Sequence, residues 1–114
     1  MLTIYHNPRC RKSRETLNLI QGAGQEVKII EYLKNPPSEE NLKQIIKKLG
    51  ISVVDLLRKN EAIFKEKYKG KEISEDQWIK ILSKNPILIE RPIVVKDENA
   101  ILGRPPENVL KLLS

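Results

Sequence analysis

The chain has 114 residues, a formal net charge of +6, one Cys and one His, a length that supports one domain, residues 1–114, and excludes a two-domain enzyme. A lone Cys10 excludes an internal disulfide, a Cys-rich zinc site and an internal dithiol pair, and with only His6 beside it no metal site is expected. No apolar run approaches the ~18–20 residues of a membrane span, and Met1-Leu2-Thr3-Ile4-Tyr5-His6 lacks a signal-peptide core, so a cytoplasmic protein with a reduced thiol is expected.

Leu2-Thr3-Ile4-Tyr5 alternates and then meets His6-Asn7-Pro8, which predicts a short strand followed by a loop. A helix follows from about Arg11, with Leu17 and Ile20 on its inner face, and stops at Gly22-Ala23-Gly24. Val27 to Tyr32 reads as a second strand, ended by Asn35-Pro36-Pro37, which completes a βαβ unit. Leu42, Ile45, Ile46 and Leu49 recur at helical spacing, with Ser38 as N-cap and Gly50 as stop. Ser52 and Asp55 flank a second helical start leading into Leu56 and Leu57, and Ser74 to Gln77 has capping-box spacing before Trp78, Ile81 and Leu82. Residues 38 to about 84 therefore read as an all-helical insertion between the second and third strands.

Pro92-Ile93-Val94-Val95 and Ala100-Ile101-Leu102-Gly103 read as two further strands of a hairpin turning at Lys96-Asp97-Glu98-Asn99. Pro105-Pro106 suits the first turn of a last helix faced by Val109, Leu112 and Leu113. The expected fold is α/β, a small mixed sheet with helices in thioredoxin-like order with a helical insertion. In such a fold a proline at the start of the third strand faces the thiol loop.

Cys10 stands between a strand and a helix start within His6-Asn7-Pro8-Arg9-Cys10-Arg11-Lys12-Ser13-Arg14. Unpaired N–H groups at a helix N-terminus stabilise a negative sulfur, and Arg9, Arg11, Lys12 and Arg14 add positive charge nearby. Together they predict a lowered thiol pKa and a loop able to hold a small oxyanion beside the nucleophile. The bland alternative is a buried Cys acting as a small hydrophobe. Cys10-Arg11-Lys12-Ser13 has the outline of a thioredoxin motif whose second Cys is Ser, so a mixed disulfide at Cys10 needs an outside thiol to resolve it.

Arg58, Arg91 and Arg104 fall at element ends, and Arg holds tetrahedral oxyanions with planar paired donors. Read alone, they are better taken as three unrelated surface arginines. His6 either orients Cys10 or takes its proton, or is a hydrogen-bonded structural residue. The basic stretch Lys65, Lys67, Lys69 and Lys71 lacks a nucleic-acid-reading motif and reads as a solvated face.

Several separated motifs, in order, resemble the glutaredoxin-coupled arsenate reductases over essentially the whole length. They are Tyr5-His6-Asn7-Pro8-Arg9-Cys10, Ser13-Arg14, Tyr32-Leu33-Lys34-Asn35-Pro36-Pro37, Gly50-Ile51-Ser52, Leu56-Leu57-Arg58-Lys59-Asn60, Pro86 through Val95, and Gly103-Arg104-Pro105. Within that family the chain is most similar to the short bacterial arsenate-reductase-like proteins. The resemblance implies a thioredoxin-like fold, Cys10 as nucleophile, oxyanion binding by Arg58, Arg91 and Arg104, a cis-proline at Pro92, and a thiol loop supported by His6, Asn7, Ser13 and Arg14. It implies no tightly bound cofactor, glutathione as co-substrate and glutaredoxin as partner. In the implied reaction the Cys10 thiolate attacks arsenic(V) and water leaves, glutathione adds, and glutaredoxin reduces the adduct to release arsenite. Family members place Gly and Thr directly after the cysteine, where this chain has Arg11 and Lys12, and the chain stops at Ser114 without the tail of the longer members.

Two alternatives come from other classes. One is an Spx-like regulator that binds RNA polymerase. Redox-sensing Spx-type proteins have Cys at both ends of the motif, whereas Ser13 stands here. The other is glutathione-dependent thiol exchange without an oxyanion substrate.

Overall fold

The computed structural model describes residues 2–113; Met1 and Ser114, the two ends of the expected single domain, lie outside the described residues. The chain divides into two compact units, Met1–Asn35 with Arg91–Ser114, and Pro36–Glu90.

The first unit carries the sheet. Strand β1 spans Leu2–His6, helix α1 Arg11–Gly22, strand β2 Val27–Glu31, strand β3 Ile93–Lys96 and strand β4 Asn99–Leu102. The strand order is β2-β1-β3-β4, with β1 parallel to β2 and antiparallel to β3, and β3 antiparallel to β4. This is the small mixed sheet with helices of the thioredoxin-like α/β class. Ile4 sits at its centre, opposite Ile29 on one side and Val94 on the other. The alternation read in the sequence places Leu2, Ile4 and His6 inward on β1. The core is aliphatic, with Leu2, Ile4, Ile20, Val94, Val109 and Leu112 buried and Leu17 packed against them. Each such fully buried side chain contributes about 1.5–3 kcal/mol relative to its exposed state.

Two features of this unit depart from the expectation. The last helix opens as a 3-10 turn over Pro106–Val109 before the short helix α5 at Leu110–Leu113. Two prolyl bonds are cis, Arg91–Pro92 and Arg104–Pro105, and the second had no signal in the sequence reading.

The second unit contains α2 at Glu39–Leu49, α3 at Ala62–Lys67 and α4 at Glu75–Lys84. Helix α2 is capped by the Ser38 side chain, which accepts from the Asn41 N–H, and ends at Gly50 in the left-handed conformation (φ 69°) that glycine adopts without steric cost. The Ser74–Gln77 capping box starts α4 as expected. Phe64 stacks on Trp78 with ring centroids 6.1 Å apart, and Tyr68 meets the same ring edge-on at 5.6 Å.

The Ser52–Asp55 start forms its capping box but yields only a 3-10 turn over Val53–Leu56. The reason is a competing pairing: Leu57 bridges Ile89, Arg58 N–H donates to the Leu88 carbonyl at 2.8 Å, and Glu90 N–H donates to the Leu56 carbonyl at 2.8 Å. Extended backbone at Leu57 ends the helix and leaves Arg58 at its exit. No helix among the described residues is long and apolar enough to cross a membrane.

Candidate active site

The loop between β1 and α1 is built by Asn7. Its carbonyl accepts from the Cys10 N–H at 3.0 Å, its Oδ1 accepts from the Arg9 N–H at 3.0 Å, and its own N–H donates to Ser13 Oγ at 3.0 Å. Arg14 Nη1 donates to the Pro8 carbonyl at 2.9 Å and fastens the loop to the helix. Cys10 is thereby the N-cap residue of α1 in extended conformation (φ −94°, ψ 121°), and its carbonyl accepts the first helical bond from Arg14 N–H.

No side-chain hydrogen bond caps α1, so the sulfur occupies the position that a Ser or Asp oxygen fills in other helices. Burial alone would push the Cys10 thiol up. The Ser13 N–H, the Arg91 guanidinium, the Lys12 N–H and the Arg104 guanidinium outweigh it and bring the thiol below its ordinary value. Arg104 Nη2 lies 3.9 Å from Cys10 Sγ, and Arg104 Nε donates to the Arg91 carbonyl at 2.8 Å. Thus the guanidinium groups that favour the thiolate come from the two ends of the β3–β4 hairpin. The N–H groups at the helix start act as expected from the sequence, whereas the loop cations Arg9, Arg11, Lys12 and Arg14 are exposed, where water screens their charge from the sulfur. Lys12 acts on Cys10 through its backbone.

Ser13 is fully buried and holds His6, whose Nδ1 lies 2.6 Å from Ser13 Oγ. Ser13 Oγ thus joins two partners, accepting from the Asn7 N–H and sharing a proton with His6 Nδ1 in a direction set by the imidazole tautomer. Burial lowers the His6 pKa, Glu31 opposes this, and Arg14 adds to it. The unfolded chain therefore takes up the proton first as pH falls through about 6.5, and the stability contributed by neutral His6 is present above that pH and lost below it. Between about pH 7 and about pH 5.5 the thermal midpoint of the parent should fall more steeply than that of His6→Gln. Equal slopes would remove His6 from this role.

The hairpin side is positioned with the help of Thr16 and Asn108, for which the sequence carried no assigned role. Thr16, fully buried on α1, donates from Oγ1 to the Lys12 carbonyl at 2.8 Å and reaches the Gly103 carbonyl at 3.5 Å. Gly103 N–H donates to the Pro92 carbonyl at 2.9 Å. Asn108 Nδ2 donates to the carbonyls of Leu102 at 3.4 Å and Arg104 at 3.1 Å, bracketing Gly103. A Cβ on Gly103 would stand 2.5 Å from Thr16 Oγ1 and 2.8 Å from Pro92 Cγ. Gly103→Ala should therefore cost about 1–3 kcal/mol by overpacking, read as a lowered denaturation midpoint, and should displace Arg104 from the sulfur. Retention of both parental stability and parental thiol reactivity would contradict this packing.

Arg58 belongs to the other unit. Its Nη2 pairs with Glu61 at 3.1 Å, its Nε faces Glu90 at 3.7 Å, and its Nη1 donates to the Ile87 carbonyl at 3.4 Å. The structure thus brings Cys10, Arg91 and Arg104 together in one unit, with Pro92 cis beside them and His6, Asn7, Ser13 and Arg14 building the loop.

Comparison with known proteins follows the same lines. The model described as the ArsC family matches residues 5–112. The chain is 46% identical over 113 residues to the arsenate reductase of Acidiphilium multivorum, covering 98% of this chain and 80% of that protein. It is 45% identical over 112 residues to the Escherichia coli K12 protein YfgD, whose function is uncharacterised, covering 96% of this chain and 94% of that one. Among solved structures, the arsenate reductase from Vibrio cholerae is similar with a TM-score of 0.93 at 44% identity, covering 96% of this chain and 95% of that chain.

Proposed function

The chain belongs to the ArsC family, and from that premise we propose that it reduces arsenate to arsenite in the cytoplasm through Cys10, with glutathione and glutaredoxin supplying the electrons. The observation that carries this reading is the 3.9 Å approach of Arg104 Nη2 to a sulfur placed as a helix N-cap. A thiolate needs such neighbours to predominate at neutral pH, and an oxyanion arriving at the sulfur is held by the same kind of donors.

The Cys10 thiolate attacks arsenic(V), forming an S–As bond as one arsenate oxygen, protonated, leaves as water. Arg91 and Arg104 offset the charge of the oxyanion and of the developing adduct. Arg58 is assigned the third oxyanion role by the family pattern. A glutathione thiol displaces a second oxygen as water. A glutaredoxin thiolate then takes the glutathione sulfur in a disulfide, and the two electrons of the broken S–As bond reduce arsenic(V) to arsenic(III). Hydrolysis frees arsenite and returns Cys10. Ser13 at the far end of the motif leaves no internal thiol to shorten this path.

NADPH oxidation coupled through glutathione reductase, glutaredoxin and glutathione tests the reading. Arsenate-dependent turnover that stops when glutathione or glutaredoxin is omitted is expected. No arsenate dependence in the complete mixture would overturn it, and turnover with a glutathione mixed disulfide in that case would move the function to thiol exchange.

A further inference from the structure

Arg58 stands diagonally across the Leu57–Ile89 bridge from Glu90. Its N–H donates to the Leu88 carbonyl and the Glu90 N–H donates to the Leu56 carbonyl, each at 2.8 Å. The pairing that places the guanidinium therefore places a carboxylate beside it. Glu61 comes from the following turn, where its N–H donates to the Arg58 carbonyl at 3.2 Å. The side chains of Arg58, Glu61 and Glu90 are 20%, 22% and 25% exposed, so water and salt screen their charges less than those of a surface pair. All three residues belong to the second unit.

Each nitrogen of this guanidinium meets an internal acceptor. Nη2 pairs with Glu61 Oε2 at 3.1 Å, Nε faces Glu90 Oε1 at 3.7 Å, and Nη1 donates to the Ile87 carbonyl at 3.4 Å. An oxyanion is held through two N–H groups on one edge of the planar fork. On the Nε and Nη2 edge both groups front carboxylates. On the Nη1 and Nη2 edge one fronts a carbonyl and the other a carboxylate. An anion approaching Arg58 thus meets two like charges, whose juxtaposition is unfavourable, and gains paired donors only by displacing a carboxylate.

We propose that Glu61 and Glu90 are specificity-determining residues that hold Arg58 as a masked oxyanion donor. The inference rests on the reading that gives Arg58 an oxyanion role, and it adds what controls that role. A tetrahedral dianion reaches Arg58 only by taking Nη2 from Glu61 or Nε from Glu90, and repulsion between the anion and the displaced carboxylate opposes its binding. Replacing both carboxylates by neutral amides opens the fork. Replacing Arg58 alone removes a donor that the anion was not using.

The test is a titration of the full chain with inorganic phosphate, a tetrahedral anion that thiols do not reduce, followed by amide NMR. Shifts at residues 58–61 and 88–90 report an anion at Arg58, and shifts at residues 12–14 report one at the thiol loop. In the parent the Arg58 signals should stay nearly still. In Glu61→Gln/Glu90→Gln they should move and saturate, with phosphate affinity there raised about tenfold or more. Adding Arg58→Gln to that variant should abolish the gain, whereas Arg58→Gln alone should change the parent titration by less than about twofold. Glu66→Gln/Glu72→Gln removes two exposed carboxylates of the same unit and should match the parent. Thermal midpoints without phosphate check that each variant folds, and the single substitutions Glu61→Gln and Glu90→Gln carry the same comparison with smaller gains if the double one does not. Parent signals at Arg58 that saturate as readily as those of the double variant would leave the oxyanion role standing and overturn the mask. Silence at Arg58 in the double variant would overturn both. A gain that survives Arg58→Gln would mean that the carboxylates act only as distant charge, and would overturn the inference too.

Discussion

Cys10→Ser is expected to abolish arsenate-dependent turnover, a loss of about a thousandfold or more. The effect is this large because the chain has no other thiol to take over, and a serine hydroxyl at the same N-cap position does not ionise near neutral pH. The substitution is close to isosteric, and Ser is a favoured N-cap residue, so α1 should start where it does now. The expected result is therefore an inactive protein whose denaturation midpoint is at or above that of the parent. Residual turnover within tenfold of the parent would remove Cys10 from the chemistry.

Arg104→Ala is the second large effect. Its guanidinium lies 3.9 Å from the sulfur and is oriented by the Arg91 carbonyl at 2.8 Å, so in the proposed reaction it serves both the thiolate and the arriving oxyanion. Its removal should raise the thiol pKa and lower kcat/KM for arsenate about a hundredfold, the scale for loss of one preorganised donor. Arg104→Lys separates the two roles. An ammonium keeps charge near the sulfur but lacks the planar fork that spans both Sγ and the Arg91 carbonyl, so Lys should restore part of the thiol reactivity and little of kcat/KM. Unchanged thiol reactivity together with unchanged kcat/KM in Arg104→Ala would detach this residue from the site.

The parts of the fold carried by neighbours in sequence were legible before the structure. Ser38 with Gly50, and Ser74 with Gln77, mark their helices because a cap is a contact over a few residues. The strand, loop and helix around Cys10 were legible for the same reason. The site itself was legible as a set of residue types, but not as an arrangement. The N–H groups at the start of α1 and the loop cations together pointed to a lowered thiol. The N–H groups of Ser13 and Lys12 do contribute, but the guanidinium groups that join them lie on the hairpin more than eighty residues away. Thr16 and Gly103 meet across 87 positions of sequence, and no spacing rule connects them. Two polar residues, Ser13 and Thr16, on the inward face of α1 were the available signal, since a buried hydroxyl implies a partner. The Ser52 box shows the converse, where a correct local start loses to a pairing between Leu57 and Ile89.

The pH dependence of Cys10 alkylation by iodoacetamide, with and without arsenate, tests most directly whether a hairpin-activated thiolate stands at an oxyanion site. The inflection should lie below that of an ordinary solvent-exposed thiol measured alongside it, and arsenate should slow the reaction throughout the range where the thiolate exists. An inflection at or above that value, with a rate indifferent to arsenate, would contradict both halves of the account.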